Sequence, residues 1–442
     1  MKKIVYCVVA ALALVITSCS DNDYLNAVPA KSSMLISMNT AKLSGTGSET
    51  MLRTLLHVAN VDETGLDLAA NVMLFEDQNG NLGLCAKVAD DDKLEESLRK
   101  ANLEVREKRG YQFAALPNNW VIGYSSSSAL LMGPVLPAQQ SEMMLQMAKY
   151  LDQKADDGIL STDLYQKLDS IDAPMAIVCQ ARSLPDQFVA PFTLGAPKDT
   201  DPSQVWLTAA MTVKQGRMYM DGRTFSFKKR INESLQHAQA QYRPIKGSYV
   251  AAMAKTDVLG MFMNVDGKQF MKLISDNRGI QAMLSGINEA IDMNNIIKSV
   301  DGDMVIVTPS IGDGNFQLMM AAKLHDADWL ADVDYWKQSV PSGGYIGDWG
   351  RDCYYYQDGK TTYYFGVTKD WQYMSGGSRE AALASIKQSP NPISKDLQQA
   401  IVGQKLVMVI NFAALQGSKA EALTTLLKPL FGGVDEIVYR LQ

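Results

Sequence analysis

The sequence predicts an α+β protein: two tandem copies of one unit, with mainly antiparallel sheets and helices packed on one face. Three observations predict this. A nine-residue frame occurs twice, as AKVADDDKL at residues 86–94 and AKLHDADWL at residues 322–330. Ahead of each frame stands a turn pair, Asn79-Gly80 or Asp313-Gly314; such pairs tolerate the positive φ that tight hairpins need. Hairpin-rich chains pair their strands antiparallel and segregate helices to one side of the sheet.

The elements follow in order. Each copy opens on a proline-led strand, VPAKSSMLISM and then RPIKGSYVAAM, which align Pro29, Lys31, Ser33 and Met38 with Pro244, Lys246, Ser248 and Met253. A hairpin follows, then a helix. Asp90 and Asp326 are expected to cap these helices by accepting backbone N–H groups, with Asp92 and Asp328 in the positive first turn. Leu94 and Leu330 would point inward. Farther on, Trp120 aligns with Trp371, and Ser161 and Asp163 align with Ser394 and Asp396. Between these patches the first copy carries about 18 additional residues near SEMMLQMAKYLDQKADDG. Ser141 is expected to cap that helix, whose Met143, Met144, Met147, Tyr150 and Leu151 form an apolar stripe packed on its own unit. A hairpin over VWLTAAMTVKQGRMYMDGRTFSF closes the first copy. The second stops at VDEIVYRLQ, where the matching hairpin would have only its first strand. The expected division is a signal segment at 1–18, a tether at 19–27, a first unit at 28–227, a linker helix at 228–242 and a second unit at 243–442.

The start of the chain sets location. Lys2 and Lys3 precede 13 uncharged, mostly apolar residues, 4–16. That length suits a secretory signal and falls short of the roughly 20 residues of a membrane-spanning helix. Ile16-Thr17-Ser18-Cys19 resembles the bacterial lipobox, which implies acylation of Cys19. Two or more acyl chains hold a membrane stably, at about 0.8 kcal/mol per buried CH2. The next residues, Ser20, Asp21, Asn22 and Asp23, resemble the surface-export signal of Bacteroidetes lipoproteins; they read equally as a solvated tether. Together with the element order and the proline-led first strand, this resembles an uncharacterised family of Bacteroidetes lipoproteins, known only as a domain of unknown function. The resemblance implies a palmitate-bearing, duplicated α+β lipoprotein of the outer membrane, at the cell surface or on its periplasmic face. It brings no catalytic residues.

Composition and motifs narrow the chemistry. Hydrophobic residues make up 47 % of the chain, enough for packed cores. The formal charge of −6 becomes −8 once Lys2 and Lys3 leave, and no basic face is evident, so nucleic acid is not an expected partner. Cys85, Cys179 and Cys353 lie far apart, two of them in apolar runs, and read as buried thiols. His57, His237 and His325 stand in separate segments without metal-ligand spacing. Residues 358–362, DGKTT, lack the glycine-rich cradle of a phosphate loop and read as a hairpin turn. No catalytic, cofactor-binding or metal-ligating residue is assigned. The candidate binding surface is aromatic: Trp336, Trp349, Tyr355, Tyr364 and Trp371. The expected function is non-enzymatic binding or scaffolding by a lipid-anchored envelope or cell-surface protein, with the membrane and an unidentified protein or polysaccharide as partners. The alternatives are a hydrolase acting on envelope or extracellular polymers, and a glycan- or peptide-binding lipoprotein that uses the aromatic second unit.

Overall fold

The computed structural model describes residues 22–39, 64–67, 69–184, 186–288, 290–310, 318–411 and 434–442. They form a mixed α+β protein with mainly antiparallel strand pairing and, among these residues, eleven α-helices. Cys19, Ser20, Asp21, His57 and the turn at Asp313-Gly314 lie outside the described residues. The chain packs as two compact units, Met1–Ala176 and Ile177–Gln442.

The described part of the first unit begins with a 3-10 helix, Asp23–Ala27, in which Tyr24 to Ala27 are buried. The Tyr24 carbonyl accepts from Ser128 Oγ at 3.1 Å, so this end of the expected tether is packed into the unit. The elements then run β1 (Met34–Met38), β2 (Val72–Glu76), β3 (Leu82–Lys87), α1 (Asp91–Lys100), β4 (Val105–Lys108), β5 (Tyr111–Leu116), β6 (Trp120–Tyr124), β7 (Ser128–Gly133), α2 (Gln140–Leu151) and α3 (Asp163–Asp169). The spatial order is β1-β2-β3-β7-β6-β5-β4, with every pair antiparallel.

Local chemistry explains the path. Gly80 takes φ 81° in the β2–β3 turn. Asp77 holds that turn by accepting from the amides of Asn79 and Asn81 at 2.8 and 2.9 Å. Asp90 caps α1, accepting from Lys93 N at 3.0 Å, and Leu94 and Leu98 face inward one turn apart. In α2, Met143, Met147 and Tyr150 are buried at helical spacing. Ser141 does not cap this helix. It is exposed inside the first turn, and α2 continues from a 3-10 turn at Pro137–Gln139, where a proline suits the helix entry because its missing N–H would be unpaired there anyway.

β8 (Met175–Gln180) spans the division. The second unit continues with α4 (Asp186–Phe192), β9 (Trp206–Lys214), β10 (Arg217–Phe225), α5 (Lys229–Gln239), β11 (Leu259–Asp266), α6 (Gly267–Asp276), α7 (Arg278–Asn288), α8 (Met293–Lys298), β12 (Val300–Thr308) and β13 (Met319–Leu324). Then come α9 (Val333–Ser339), β14 (Tyr345–Gly350), β15 (Cys353–Gln357), β16 (Thr362–Val367), β17 (Gln372–Gly376), α10 (Arg379–Ser385), α11 (Lys395–Ile401), β18 (Leu406–Asn411) and β19 (Glu436–Leu441). The order is β9-β10-β19-β18-β11-β12-β13-β17-β16-β15-β14. Of these pairs among the described residues, β10–β19 alone is parallel. β19 therefore has a strand on each side. Arg217 pairs with Glu436, Asp396 and Ser394 there, while Arg440 forms a fork with Asp221 at 2.5 and 2.6 Å. The helix expected as a linker, α5, buries Ile231 and Leu235 against Ala181 and Val205.

Two sequence alignments are corrected. Asp326 does not repeat the cap made by Asp90. It pairs with His325 at 2.5 Å and accepts from Ser299 Oγ and Asp328 N, and the chain then enters a 3-10 turn, Asp328–Asp332. At about 3.0 rather than 3.6 residues per turn, the inward position moves by one. Trp329 is 1 % exposed, and Leu330 is only partly buried. Trp120 opens β6, whereas Trp371 lies in the β16–β17 turn, so this pair does not occupy matching places.

Candidate binding surface

β14 carries aromatics at alternate positions and β15 and β16 carry them in runs of three; a strand sends successive side chains to opposite faces, so the runs supply both. One face is the core. Trp336 is 5 % exposed and lies parallel to Trp329, with ring centres 6.1 Å apart. Phe365 and Tyr373 pack against the same Trp329, and Tyr363 and Tyr373 share a hydroxyl hydrogen bond of 2.8 Å. Burial pushes both phenols above their ordinary value. Trp336 is thus a core residue and no part of an exposed surface.

The other face carries a strip of partly exposed rings. Tyr345 meets Tyr355 edge-on at 5.9 Å, Tyr355 stacks on Tyr364 at 5.4 Å, and Tyr364 meets Trp349 at 6.1 Å. The Arg379 guanidinium lies 5.4 Å from the Trp349 ring centre and closes the row. Cross-strand register sets this arrangement. Tyr355 stands opposite both Gly347 and Tyr364. A Cβ on Gly347 would lie 2.5 Å from the Tyr355 ring and 2.7 Å from that of Tyr345, so glycine there lets the two rings settle over the strand. The Trp349 indole N–H donates to the Tyr354 carbonyl at 2.7 Å, which fixes the ring's tilt.

The β15–β16 turn is the expected one at DGKTT. Gly359 takes φ 83°. Asp358 accepts from Lys360 N at 2.9 Å, Thr361 N at 2.6 Å and Tyr356 Oη at 3.0 Å. The Thr361 and Lys360 amides hold its carboxyl below the ordinary carboxylate value.

Three of the five candidate residues, Trp349, Tyr355 and Tyr364, therefore share one strip. Trp371 is 45 % exposed with φ 63° in the β16–β17 turn and makes none of the ring contacts described for the strip. Sequence reasoning left out Tyr345, which is 60 % exposed, although its i, i+2, i+4 spacing with Gly347 and Trp349 gives the face away. Arg379 carried no such signal, because it arrives from α10. Chemically the strip offers flat apolar area with hydroxyl edges and one cation, a surface suited to stacking and hydrogen bonding.

Elsewhere, Cys85, Cys179 and Cys353 are buried free thiols, and burial pushes Cys85 and Cys353 up. Among the described residues no group of three or more His, Cys, Asp or Glu is placed to hold a metal ion, and no helix is long and apolar enough to cross a membrane. Of the expected export signal, Asn22 and Asp23 are described, Asn22 part-exposed and Asp23 exposed.

A family profile described as a domain of unknown function (DUF4836) matches residues 26–397. No curated protein matches the sequence. Solved structures of TP0453 are similar in part. Crystal form IV shares 8 % identity at a TM-score of 0.26, over 39 % of this chain and 66 % of that chain. Crystal form I shares 8 % identity at a TM-score of 0.22, over 82 % of this chain and 96 % of that one. In form IV the match spans just under two thirds of that chain. At these scores the likeness carries no argument.

Proposed function

The chain belongs to the DUF4836 family, a domain of unknown function. We propose a lipid-anchored, non-enzymatic binding protein of the outer membrane that takes a polysaccharide on its aromatic strip. The observation that carries this is the row Tyr345, Tyr355, Tyr364 and Trp349, partly exposed on a sheet whose opposite face is packed. A sugar ring has an apolar C–H face and a hydroxyl rim, and the strip has the complementary pair. Covering on the order of 100 Å² of apolar ring surface would contribute roughly 2–3 kcal/mol at about 25 cal/mol per Å², so several rings in a row are needed for useful affinity. The carboxylate of the β15–β16 turn, Asp358, is committed to backbone amides, which favours binding over catalysis at that turn.

Two further readings belong to the proposal. The anchor is Cys19, supported by the resemblance of residues 16–19 to a lipobox. The architecture is a duplication, supported by the order β1-β2-β3-β7-β6-β5-β4 in one unit and β11-β12-β13-β17-β16-β15-β14 in the other.

The test has two arms. Cys19→Ala should abolish palmitate incorporation and release the protein from membranes; continued labelling and sedimentation would overturn the anchor. Trp349→Ala with Tyr355→Ala should lower retention on insoluble envelope polysaccharide at least tenfold while the fold persists. Undiminished retention would overturn the strip.

A further inference from the structure

A second, unrelated site lies in the second unit. A cavity of about 630 Å³ opens where the end of α4 and the loop after it face the start of α7, a size that suits a small organic ligand. Its wall is apolar, with Val189, Ala190, Ala196 and Pro197. The cavity is stitched together. Asn277, 6 % exposed between α6 and α7, donates to the Ala190 carbonyl at 3.1 Å and to Thr193 Oγ1 at 3.2 Å. Its own side-chain oxygen accepts from Ile280 N at 3.0 Å, so one amide ties α4 to α7.

The rim is charged, and its charges are unequally committed. Asp199 is taken by Arg230 in a fork of 2.7 and 2.9 Å. Asp201 accepts from Ser203 N at 2.8 Å. By contrast, Arg182, Lys198 and Arg278 make no side-chain hydrogen bond or close ion pair among the described residues. Arg278 acts on Asp199, and Arg182 on Asp201, only at longer range. Asp276 is the one lining carboxylate without such a commitment. With Asp199 neutralised by Arg230, three cations face two carboxylates, Asp201 and Asp276, a local excess of positive charge in a chain of net charge −6. Thr200, also lining the cavity, has its Oγ1 buried without a hydrogen-bond partner among the described residues.

We infer that this cavity binds a small amphiphilic anion, a carboxylate or phosphate ester on an apolar body, with Arg182 and Arg278 holding the anionic head and the Val189–Ala196 wall taking the body. A guanidinium suits this role because its planar donors match both kinds of oxyanion. The assignment is independent of the aromatic strip.

Calorimetric titration of the full chain with octyl phosphate and with octanoate tests it. Saturable binding is expected, weakened at least tenfold by Arg182→Gln with Arg278→Gln and weakened less by the corresponding Lys pair, which keeps the charge and loses the planar fork. Rising sodium chloride should weaken binding to the unmodified chain, a readout that survives if the Gln pair fails to fold. Inorganic phosphate, which lacks the body, and octyl glucoside, which lacks the charge, should each bind at least tenfold more weakly. The inference is overturned if neither amphiphile saturates, if salt has no effect, if the folded Gln pair binds unchanged, or if either control binds as tightly.

Discussion

Trp336 and Trp349 lie thirteen positions apart in the same aromatic segment and do different work. Trp336 comes from a helix and stacks on Trp329 in the interior. Trp349 comes from an edge strand and lies partly open beside Tyr364 and Arg379. Trp336→Ala should therefore cost about 3–5 kcal/mol, as large-to-small changes of buried aromatics do, with polysaccharide retention falling only in proportion to the unfolded fraction. Tyr355→Ala should cost about 1–2 kcal/mol and remove retention from a folded protein. Urea denaturation beside the retention assay separates the two. At this scale the sequence was half informative. Alternation along β14 marks Tyr345, Gly347 and Trp349 as one face, but nothing local says which face of a strand meets a helix. Asp303 was invisible for the same reason. It accepts from the amides of Lys246, Gly247 and Ser248 at 2.7–2.8 Å, a contact across more than fifty residues.

Among the elements, the β15–β16 hairpin holds Tyr355 and Tyr364 in register, and its turn depends on an ionised Asp358. The turn amides stabilise the carboxylate, so its folded pKa lies below the ordinary 3.8. A carboxylate depressed in this way contributes stability that is present above the unfolded value and lost as pH falls through the folded one. The turn should hold at neutral pH and loosen only below about pH 4. Amide exchange at Lys360 and Thr361 should quicken there, and Asp358→Asn should flatten that pH dependence. Unchanged exchange down to pH 2 would contradict it. Turns of this kind are legible in sequence, because glycine and aspartate do their work locally; Asp90 and Asn79-Gly80 were read on the same basis. Ser141 and Asp326 were misread because cap preference does not show whether a 3-10 turn precedes or replaces the α-helix.

For the whole molecule, the parallel pairing of β10 with β19 joins segments 219 residues apart. The second unit expected from the sequence begins at residue 243, but the hairpin at 206–225 is paired with β19. Residues 243–442 expressed alone would leave one edge of β19 bare, and an unpaired edge strand invites aggregation. Residues 177–442 keep β10 and should give a monodisperse species by size-exclusion chromatography, while 243–442 should aggregate. A soluble, monodisperse 243–442 would sink this account. Turn pairs and hairpin spacing made the antiparallel strands legible. A parallel partner 219 residues away left no pattern to read.

The early burial of Tyr24 also has a consequence for reach. Four residues separate Cys19 from Tyr24, and five fully extended steps span at most about 18 Å. On the proposed anchoring, the protein cannot range outward on a leash. Its first unit rides against the lipid headgroups, and any partner must come down to the bilayer or project from it. Neutron reflectometry on supported bilayers should find folded protein starting within about 2 nm of the acyl boundary. A hydrated gap wider than that would place the anchor elsewhere.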